Sequence, residues 1–193
     1  MNEIKERIIE LLKSTGRSGI ENLVFHMECN GFFTAPCSGS YHLAEEGGLA
    51  KHSLNVYNNI NIMAQAFYSA LEYSEIHESL VLTSILHDLG KIGQYGKPNY
   101  VENILKSGKR SDSKPYATNP DLIYVPHEIR SIHIASQFIQ LTEEESFAIL
   151  QHNGMYGDLK YSLKDSETPL QMLLHFADMW SSRVNEVDKN EHQ

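Results

Sequence analysis

A strongly apolar run near the middle of the chain ends abruptly in two ionisable residues. The stretch LVLTSIL, residues 80–86, has the composition of a buried segment, and His87 and Asp88 follow it directly, before Gly90 and Lys91. Ionisable groups are rarely buried without a partner. The pair must therefore either cap a helix or bind a cation, and the fold has to supply what the pair needs.

Apolar residues recur at helical spacing through most of the chain, which predicts an all-α fold. Gly31 and Gly90 each follow a periodic segment, as glycine commonly does just past the end of a helix. In the N-terminal half, the predicted helices lie at about 4–12, 19–31, 49–67 and 76–89.

Two more helices are expected in the C-terminal half, before a final one. The first covers about 126–141. The second begins with a capping box, in which Thr142 and Glu145 satisfy each other's backbone N–H groups, and it ends at His152.

The final helix carries three signals of its start. Thr168 is a suitable N-cap, Pro169 fits the first helical position, and Gln171 is placed to complete a capping box. Residues 186–193 beyond this helix are expected to fray.

The length of 193 residues fits a single domain, and the sequence contains no internal repeat. We expect the N-terminal helices, about 1–31, to pack on a helical core of about 32–186. Residues 93–126 show no core pattern, apart from a possible short strand at 121–126. A connection this long inside a compact domain is usually functional or partly ordered in its own right.

Composition limits the possible partners and compartments. The net charge is −9, with no long basic block, so extended nucleic acid is an unlikely partner. No run approaches the roughly 20 apolar residues that cross a bilayer, and the N-terminus does not resemble a signal peptide. We therefore expect a cytoplasmic protein with no membrane association, in which Cys29 and Cys37 are free thiols.

Histidines and aspartates are distributed over five successive helical segments, each beside apolar residues. A single histidine at a helix end more often interacts with the helix dipole than with a metal. As a set, however, these side chains would converge inside a helical bundle, where buried imidazoles and carboxylates need pairing or a metal ion. The set comprises His52, His87, Asp88, His127, His152 and Asp178.

The motifs GGLAKHS, LHDLGK, PHE, QHNG and HFADMW occur in this order between about residues 30 and 185. In order and spacing they resemble the HD superfamily of metal-dependent phosphohydrolases, and in particular its six-ligand, two-metal subgroup. The chain is also similar to the HD module of bacterial 3′→5′ exoribonucleases. We find no counterpart of their nucleic-acid-binding domain in this sequence, which makes a nuclease the less favoured expectation.

The resemblance implies an HD-type helical bundle with two divalent transition metal ions per chain: manganese, iron, cobalt, nickel or zinc. It implies His52, His87, Asp88 and Asp178 as a core quartet, with His127 and His152 for the second metal. Three neighbouring residues are judged weaker candidates: His133 as a competitor of His127, His175 as a packing residue, and Glu128 as a solvent-facing one.

The activity implied is hydrolysis of a phosphate ester in a nucleotide or another small phosphorylated compound, by metal-activated water. Asp88 and Lys91 are the expected catalytic residues, and Lys91, His42 and Arg130 the expected substrate contacts. Segment 94–124 would border the pocket, with Tyr95, Lys97 and Tyr116 as candidates.

Two alternatives share the same ligand set. One is a di-iron oxygenase, and the other is a catalytically silent module that senses a nucleotide. The shared ligands do not separate the oxygenase from the hydrolase, whereas the intact ligand set argues against the sensor, because a pure binder would not need all six. The sequence does not decide the substrate, the native metal, mono- versus diesterase activity or the oligomeric state.

Overall fold

The computed structural model describes residues 2–157, 160–163 and 165–187. Their secondary structure is dominated by helices, which confirms the predicted all-α class. None of the described helices has the length and apolar character needed to cross a membrane. The helices are α1 (Asn2–Ser14), α2 (Ile20–Cys29), α3 (Gly48–Phe67), α4 (Ala70–Leu86), α5 (His127–Ala135), α6 (Glu143–Leu150), α7 (Lys160–Leu163) and α8 (Pro169–Trp180).

Local capping sets where several helices begin. The capping box predicted at Thr142 and Glu145 forms at the start of α6. A second box, between Ser69 and Glu72, starts α4 six residues earlier than predicted. Each box satisfies backbone N–H groups that a helix leaves unpaired in its first turn.

The predicted capping box of α8 is only half correct. Thr168 does cap the helix by accepting a hydrogen bond from the backbone of Gln171. The side-chain amide of Gln171 instead donates to Gln151 O at 3.0 Å. A tertiary partner was thus preferred over the local one, and α8 is tied to the segment that carries His152.

Helix α3 packs against α4, α8 and α1 and so lies at the centre of the bundle. Residues from α1, α2, α4 and α5 share one apolar cluster, which includes Ile8, Leu23, Leu82 and Ile134. Burial of such apolar surface is the main favourable contribution to folding. Because the last turns of α4 are enclosed here, the residues that follow Leu86 begin deep inside the molecule.

The chain turns sharply after α4 through a 3-10 helix, Leu89–Ile92, which lies against the start of α5. A Cβ atom at Gly90 would lie 2.2 Å from His127 O, so only glycine permits this approach. Gly90 N donates to Ser131 Oγ at 2.7 Å, and Ser131 Oγ donates to His87 O at 2.7 Å. These bonds hold the residues that follow α4 against the middle of α5.

The insertion contains a small hairpin that the sequence did not predict. Strands β1 (Tyr100–Glu102) and β2 (Tyr116–Thr118) are antiparallel, with Val101 opposite Ala117. The strand considered at 121–126 was wrong, because these residues form a turn and irregular backbone, with Ile123 84% exposed. A segment of β-like composition forms a strand only when a neighbouring strand exchanges hydrogen bonds with it. Strands β1 and β2 pair with each other in this way.

The boundaries of two other helices also differ from prediction. Helix α5 ends at Ala135 and not near 141, and α6 ends at Leu150, so that His152 lies in the turn beyond it. The expected fraying of 186–193 was wrong at its first residue, since the Glu186 side chain is almost fully buried. Residues 188–193 lie outside the described part of the chain.

A buried ion pair joins the α1–α2 connection to α4 and α6. Arg17 Nη2 lies 2.8 Å from Glu145 Oε1, and Arg17 Nε lies 2.6 Å from Glu78 Oε1. The Glu145 side chain is fully buried and also accepts from Ser79 Oγ at 2.8 Å. Burial opposes ionisation of Glu145, but the hydrogen bonds from Arg17, the Thr142 backbone and Ser79, with the charge of Arg17, together lower its pKa.

Substitution of Arg17 is therefore expected to destabilise the fold strongly. Arg17→Ala leaves a buried carboxylate without its cation, which costs about 3–5 kcal/mol in the free energy of unfolding. Arg7→Ala, which removes the exposed pair with Glu10, should cost less than about 1 kcal/mol. Urea unfolding of both variants measures the difference, and equal losses would contradict the structural role.

The same pair predicts a pH dependence. The folded-state pKa of Glu145 is lowered, so its contribution is present above the unfolded pKa of about 4.3 and is lost as pH falls. In wild type the stability should drop on acidification through this range, and the Arg17→Ala variant should show a smaller drop.

Candidate metal centre

The structure brings together all six residues predicted as metal ligands. His52 comes from α3, His87 and Asp88 follow α4, His127 begins α5, His152 lies just beyond α6 and Asp178 lies on α8. Close groups of three, with ligand atoms within 4.8 Å of one another, cover the whole set. Five separate segments therefore contribute to one cluster.

The predicted quartet is compact around the Nε2 atom of His52. This nitrogen lies 3.2 Å from Asp178 Oδ1, 3.3 Å from His87 Nε2 and 3.6 Å from Asp88 Oδ2. His87 Nε2 lies 3.4 Å from the same Asp88 oxygen. Four ligand atoms at these separations can surround a single cation.

The remaining two histidines face the other oxygen of Asp88. His127 Nε2 lies 3.1 Å from Asp88 Oδ1, and His152 Nε2 lies 3.7 Å from it. The two Nε2 atoms are 3.3 Å apart. The Asp88 carboxylate thus lies between two groups of imidazoles, in the position of a group that bridges two cations.

Hydrogen bonds on the outer side of each ring orient the imidazoles. His87 Nδ1 donates to Ser84 O at 2.9 Å, and His152 Nδ1 donates to Ile149 O at 2.8 Å. A carbonyl oxygen can only accept, so Nδ1 carries the proton and Nε2 directs a lone pair into the cluster. This arrangement is typical of metal-binding histidines.

Carboxylates hold the other two rings. His127 Nδ1 lies 3.1 Å from Glu128 Oε2, and His52 Nδ1 lies 3.0 Å from Glu186 Oε2. The interpretation of Glu128 as solvent-facing was wrong, because it is buried behind His127. All four rings therefore present Nε2 to the interior.

Two features of the cluster are energetically unfavourable without bound cations. The Nε2 atoms of His127 and His152 face each other at 3.3 Å, where two lone pairs would repel. Asp88 Oδ1 is buried and has no hydrogen-bond partner of acceptable geometry among the described residues, which is costly for an ionised oxygen. Cations between these atoms would remove both penalties, and mixed imidazole and carboxylate donors suit first-row transition metals.

The protonation states agree with a ligand role for most of the set. Burial opposes the charge on Asp88, yet the Lys91 ammonium and His87 hold its pKa well below the usual range. Burial and the neighbouring His87 lower the pKa of His152 to about 3, so this imidazole is neutral. Asp178 likewise stays ionised, because its contact with His52 lowers its pKa despite burial.

His52 differs from His152 in this respect. Burial disfavours its charged form, but Cys37, Asp178 and Glu186 together raise its pKa well above 6.5. A cation that binds His52 Nε2 must therefore displace a proton, as metal uptake by imidazoles commonly does.

Glu186 is the main residue of the site that sequence reasoning missed. It follows a π-helix, Ser181–Asn185, that continues α8. Besides His52, it accepts from His42 Nδ1 at 2.5 Å and from Asn55 Nδ2 at 2.9 Å. Burial opposes its ionisation, but the bonds from His42 and His52 lower its pKa to about 2. Its place in a polar C-terminal stretch gave no signal of this role.

The predicted catalytic lysine lies directly against the cluster. Lys91 Nζ is 2.7 Å from Asp88 Oδ2, and the lysine side chain is 15% exposed. The 3-10 helix after α4 places it there, three residues beyond Asp88. One positive charge thus already stands beside the carboxylate, at the boundary between the cluster and the surface.

A cleft of about 1350 Å³ opens over the cluster. Lys91, His127 and the predicted substrate residue His42 line it, together with Tyr41 and Tyr100. Tyr100 belongs to β1, so the insertion does border the site, as expected.

The residues nominated within that insertion lie elsewhere. Tyr95 and Lys97 line a different cavity of about 580 Å³, beside Cys29, and Tyr116 pairs with Glu102 in the hairpin. The nomination of Tyr95 and Lys97 was wrong, because a tight turn around Gly96, in which Gln94 pairs with Lys97, places both residues at this other cavity.

Three other candidates are placed as follows. Arg130 is buried, donates to Ile123 O at 3.0 Å and is not among the residues that line the cleft, and its substrate role stays a prediction. His133 is exposed and does not compete with His127. His175 Nδ1 donates to His152 O at 2.8 Å, which confirms its packing role.

Comparisons with known proteins found no match to a family model, to a curated protein or to a solved structure. The resemblance to the HD superfamily therefore rests on the quoted motifs and stays a prediction.

The anchoring of His52 by Glu186 predicts a measurable loss of metal affinity. Glu186→Gln weakens the hydrogen bond to Nδ1 and should lower affinity for Mn²⁺ or Co²⁺ by about 10- to 100-fold. The control is Glu45→Gln, at an exposed carboxylate paired with Lys51. Calorimetric titration of both variants tests this; equal affinities would remove Glu186 from the metal centre.

The separation of the ligands into two groups predicts metal counts. His152→Ala should reduce bound metal from two ions per chain to one, because the second position loses one of its two imidazole donors. His133→Ala, at an exposed histidine, should leave the count unchanged. Elemental analysis after gel filtration measures both, and an unchanged count in His152→Ala would confine the centre to the quartet.

Proposed function

We propose that this protein is a metal-dependent phosphohydrolase that acts on a phosphate ester of a nucleotide or another small phosphorylated compound. The observation that carries the proposal is the position of Asp88. Each of its oxygens faces a different group of inward-directed imidazoles, at the base of an open cleft.

The first supporting argument concerns preorganisation. Two divalent cations, when bound, supply positive charge to a phosphate and lower the pKa of a coordinated water to about 7. The chain keeps its donor atoms aligned through the Nδ1 anchors of His52, His87, His127 and His152. Little reorganisation is then required when charge develops during hydrolysis.

The second argument concerns the charge that faces the substrate. Lys91 Nζ lies beside Asp88 and reaches the cleft, where it can donate to a phosphate oxygen. His127 is the more exposed of the two histidines at the second position, which leaves that side of the cluster accessible. A phosphate held there would contact both the cations and the ammonium.

The third argument concerns size and surroundings. A cleft of about 1350 Å³ exceeds the roughly 300–1,000 Å³ of most small-molecule sites, so it has room for a nucleotide-sized compound. Lys51 and Arg183 join Lys91 among its lining residues. Glu45 and Glu186 line the cleft as well, but Glu45 is paired with Lys51 and Glu186 with His42 and His52, so Lys91 and Arg183 remain to favour an anionic substrate there.

Hydrolysis is tested with a substrate panel. Protein loaded with Mn²⁺, Co²⁺ or Ni²⁺ should hydrolyse one or more compounds among chromogenic phosphate monoesters, diesters and nucleotides. Metal-bound protein that hydrolyses none of them would contradict the proposal. An oxygen-sensitive absorbance spectrum after iron loading would then favour the oxygenase, and nucleotide binding without turnover would favour the sensor.

Two variants separate metal binding from catalysis. Asp88→Ala should abolish turnover and reduce bound metal. Lys91→Ala should keep both metals but lose about 100-fold in turnover, because it removes one donor to the phosphate. Lys97→Ala, at a lysine in the other cavity, is the control. Wild-type rates in Lys91→Ala would show that Lys91 has no role in the proposed hydrolysis.

A further inference from the structure

A thiol borders the metal centre at a position that the proposed hydrolysis does not use. Cys37 lies in the connection between α2 and α3 and is fully buried. Its Sγ atom lies 4.0 Å from His42 Nε2 and 4.0 Å from Asp88 Oδ2. Ligand atoms of Cys37, His42 and His52 all lie within 4.8 Å of one another, close enough to surround a single ion.

His42 is oriented in the same manner as the histidines of the metal centre. Its Nδ1 is held by Glu186 Oε2 at 2.5 Å, so that Nε2 is the atom directed at Cys37 Sγ. The same carboxylate holds Nδ1 of His52. One buried glutamate thus orients two imidazoles that converge on one side of the thiol. Anchoring of this kind is typical of metal-binding histidines, and histidines that only pack in a core do not need it.

We propose that Cys37, His42 and His52 form an alternative site for one thiophilic divalent cation, such as Zn²⁺ or Cd²⁺. One thiolate and two imidazoles are donors that zinc-class ions prefer, whereas harder ions such as Mn²⁺ favour carboxylates. His52 Nε2 also belongs to the quartet, so a cation in the Cys37 site competes with the first metal of the quartet. The site does not depend on the reaction proposed above.

Lys91 gives this competition a second consequence. Its Nζ atom lies 3.8 Å from Cys37 Sγ and 2.7 Å from Asp88 Oδ2. A divalent cation bound by the sulfur lies close to this ammonium and so changes the charge at the base of the cleft. Occupation of the Cys37 site also removes one quartet ligand, so it inhibits whatever reaction the centre performs.

Cadmium titration of metal-free protein tests the site, because thiolate-to-cadmium charge transfer absorbs in the ultraviolet. The chain offers a matched control in Cys29, which is exposed. The band should appear in wild type and in Cys29→Ser, and it should be lost in Cys37→Ser. Absence of the band in Cys29→Ser, or its persistence in Cys37→Ser, would overturn the inference.

Because Cys37 is buried, loss of the band in Cys37→Ser has to be distinguished from misfolding, and a second variant makes that distinction. His42→Ala keeps the thiol and should move the titration midpoint of the band to higher cadmium concentration; an unchanged midpoint would also overturn the inference. In Cys29→Ser, cadmium bound first should reduce subsequent Mn²⁺ uptake by one equivalent. These readouts are independent of catalysis, so a failed phosphoester panel and a failed cadmium titration remain distinguishable.

Discussion

The buried carboxylate of Asp88 is the constraint around which the rest of the site is organised. An ionised group at the end of an apolar helix is tolerated only if charge or hydrogen bonds compensate it. Here the Lys91 ammonium contacts one of its oxygens, and four imidazole nitrogens surround it at positions from which they and the carboxylate could share bound cations. Because these partners come from α3, α4, α5 and the turn after α6, compensation of one charge determines how several helices must be placed.

Rigid placement of the imidazoles depends on atoms outside the cluster. Backbone carbonyls anchor His87 and His152, while buried carboxylates anchor His52 and His127. The contact of Gly90 with α5 holds the two sides of Asp88 at a constant separation. The bundle thus supplies the fixed geometry that a metal site needs, and the cleft supplies access to it. Cys37 and His42 lie between the cluster and the cleft.

Much of the fold and of the candidate site could be predicted from local patterns. The capping box at Thr142 and Glu145 and the N-cap at Thr168 involve residues three apart, so their energetics are contained in the sequence itself. The six candidate ligands were identified because imidazoles and carboxylates on apolar helical faces become buried together, where they need pairing or a metal ion. The hairpin β1–β2 escaped detection because its strands lie more than ten residues apart and their pairing carries no local signal.

The sequence by itself determined the helical class, most helix positions and the residues of the cluster, since helical periodicity and capping act over a few residues. Only the tertiary structure decided that Glu186 holds His52, that Tyr100 and not Tyr95 borders the cleft, and that Cys37 faces the centre. The hydrogen bond between His52 and Glu186 spans 134 residues. Contacts at such separations depend on how the helices pack in three dimensions, and neither residue's immediate neighbours contain that information.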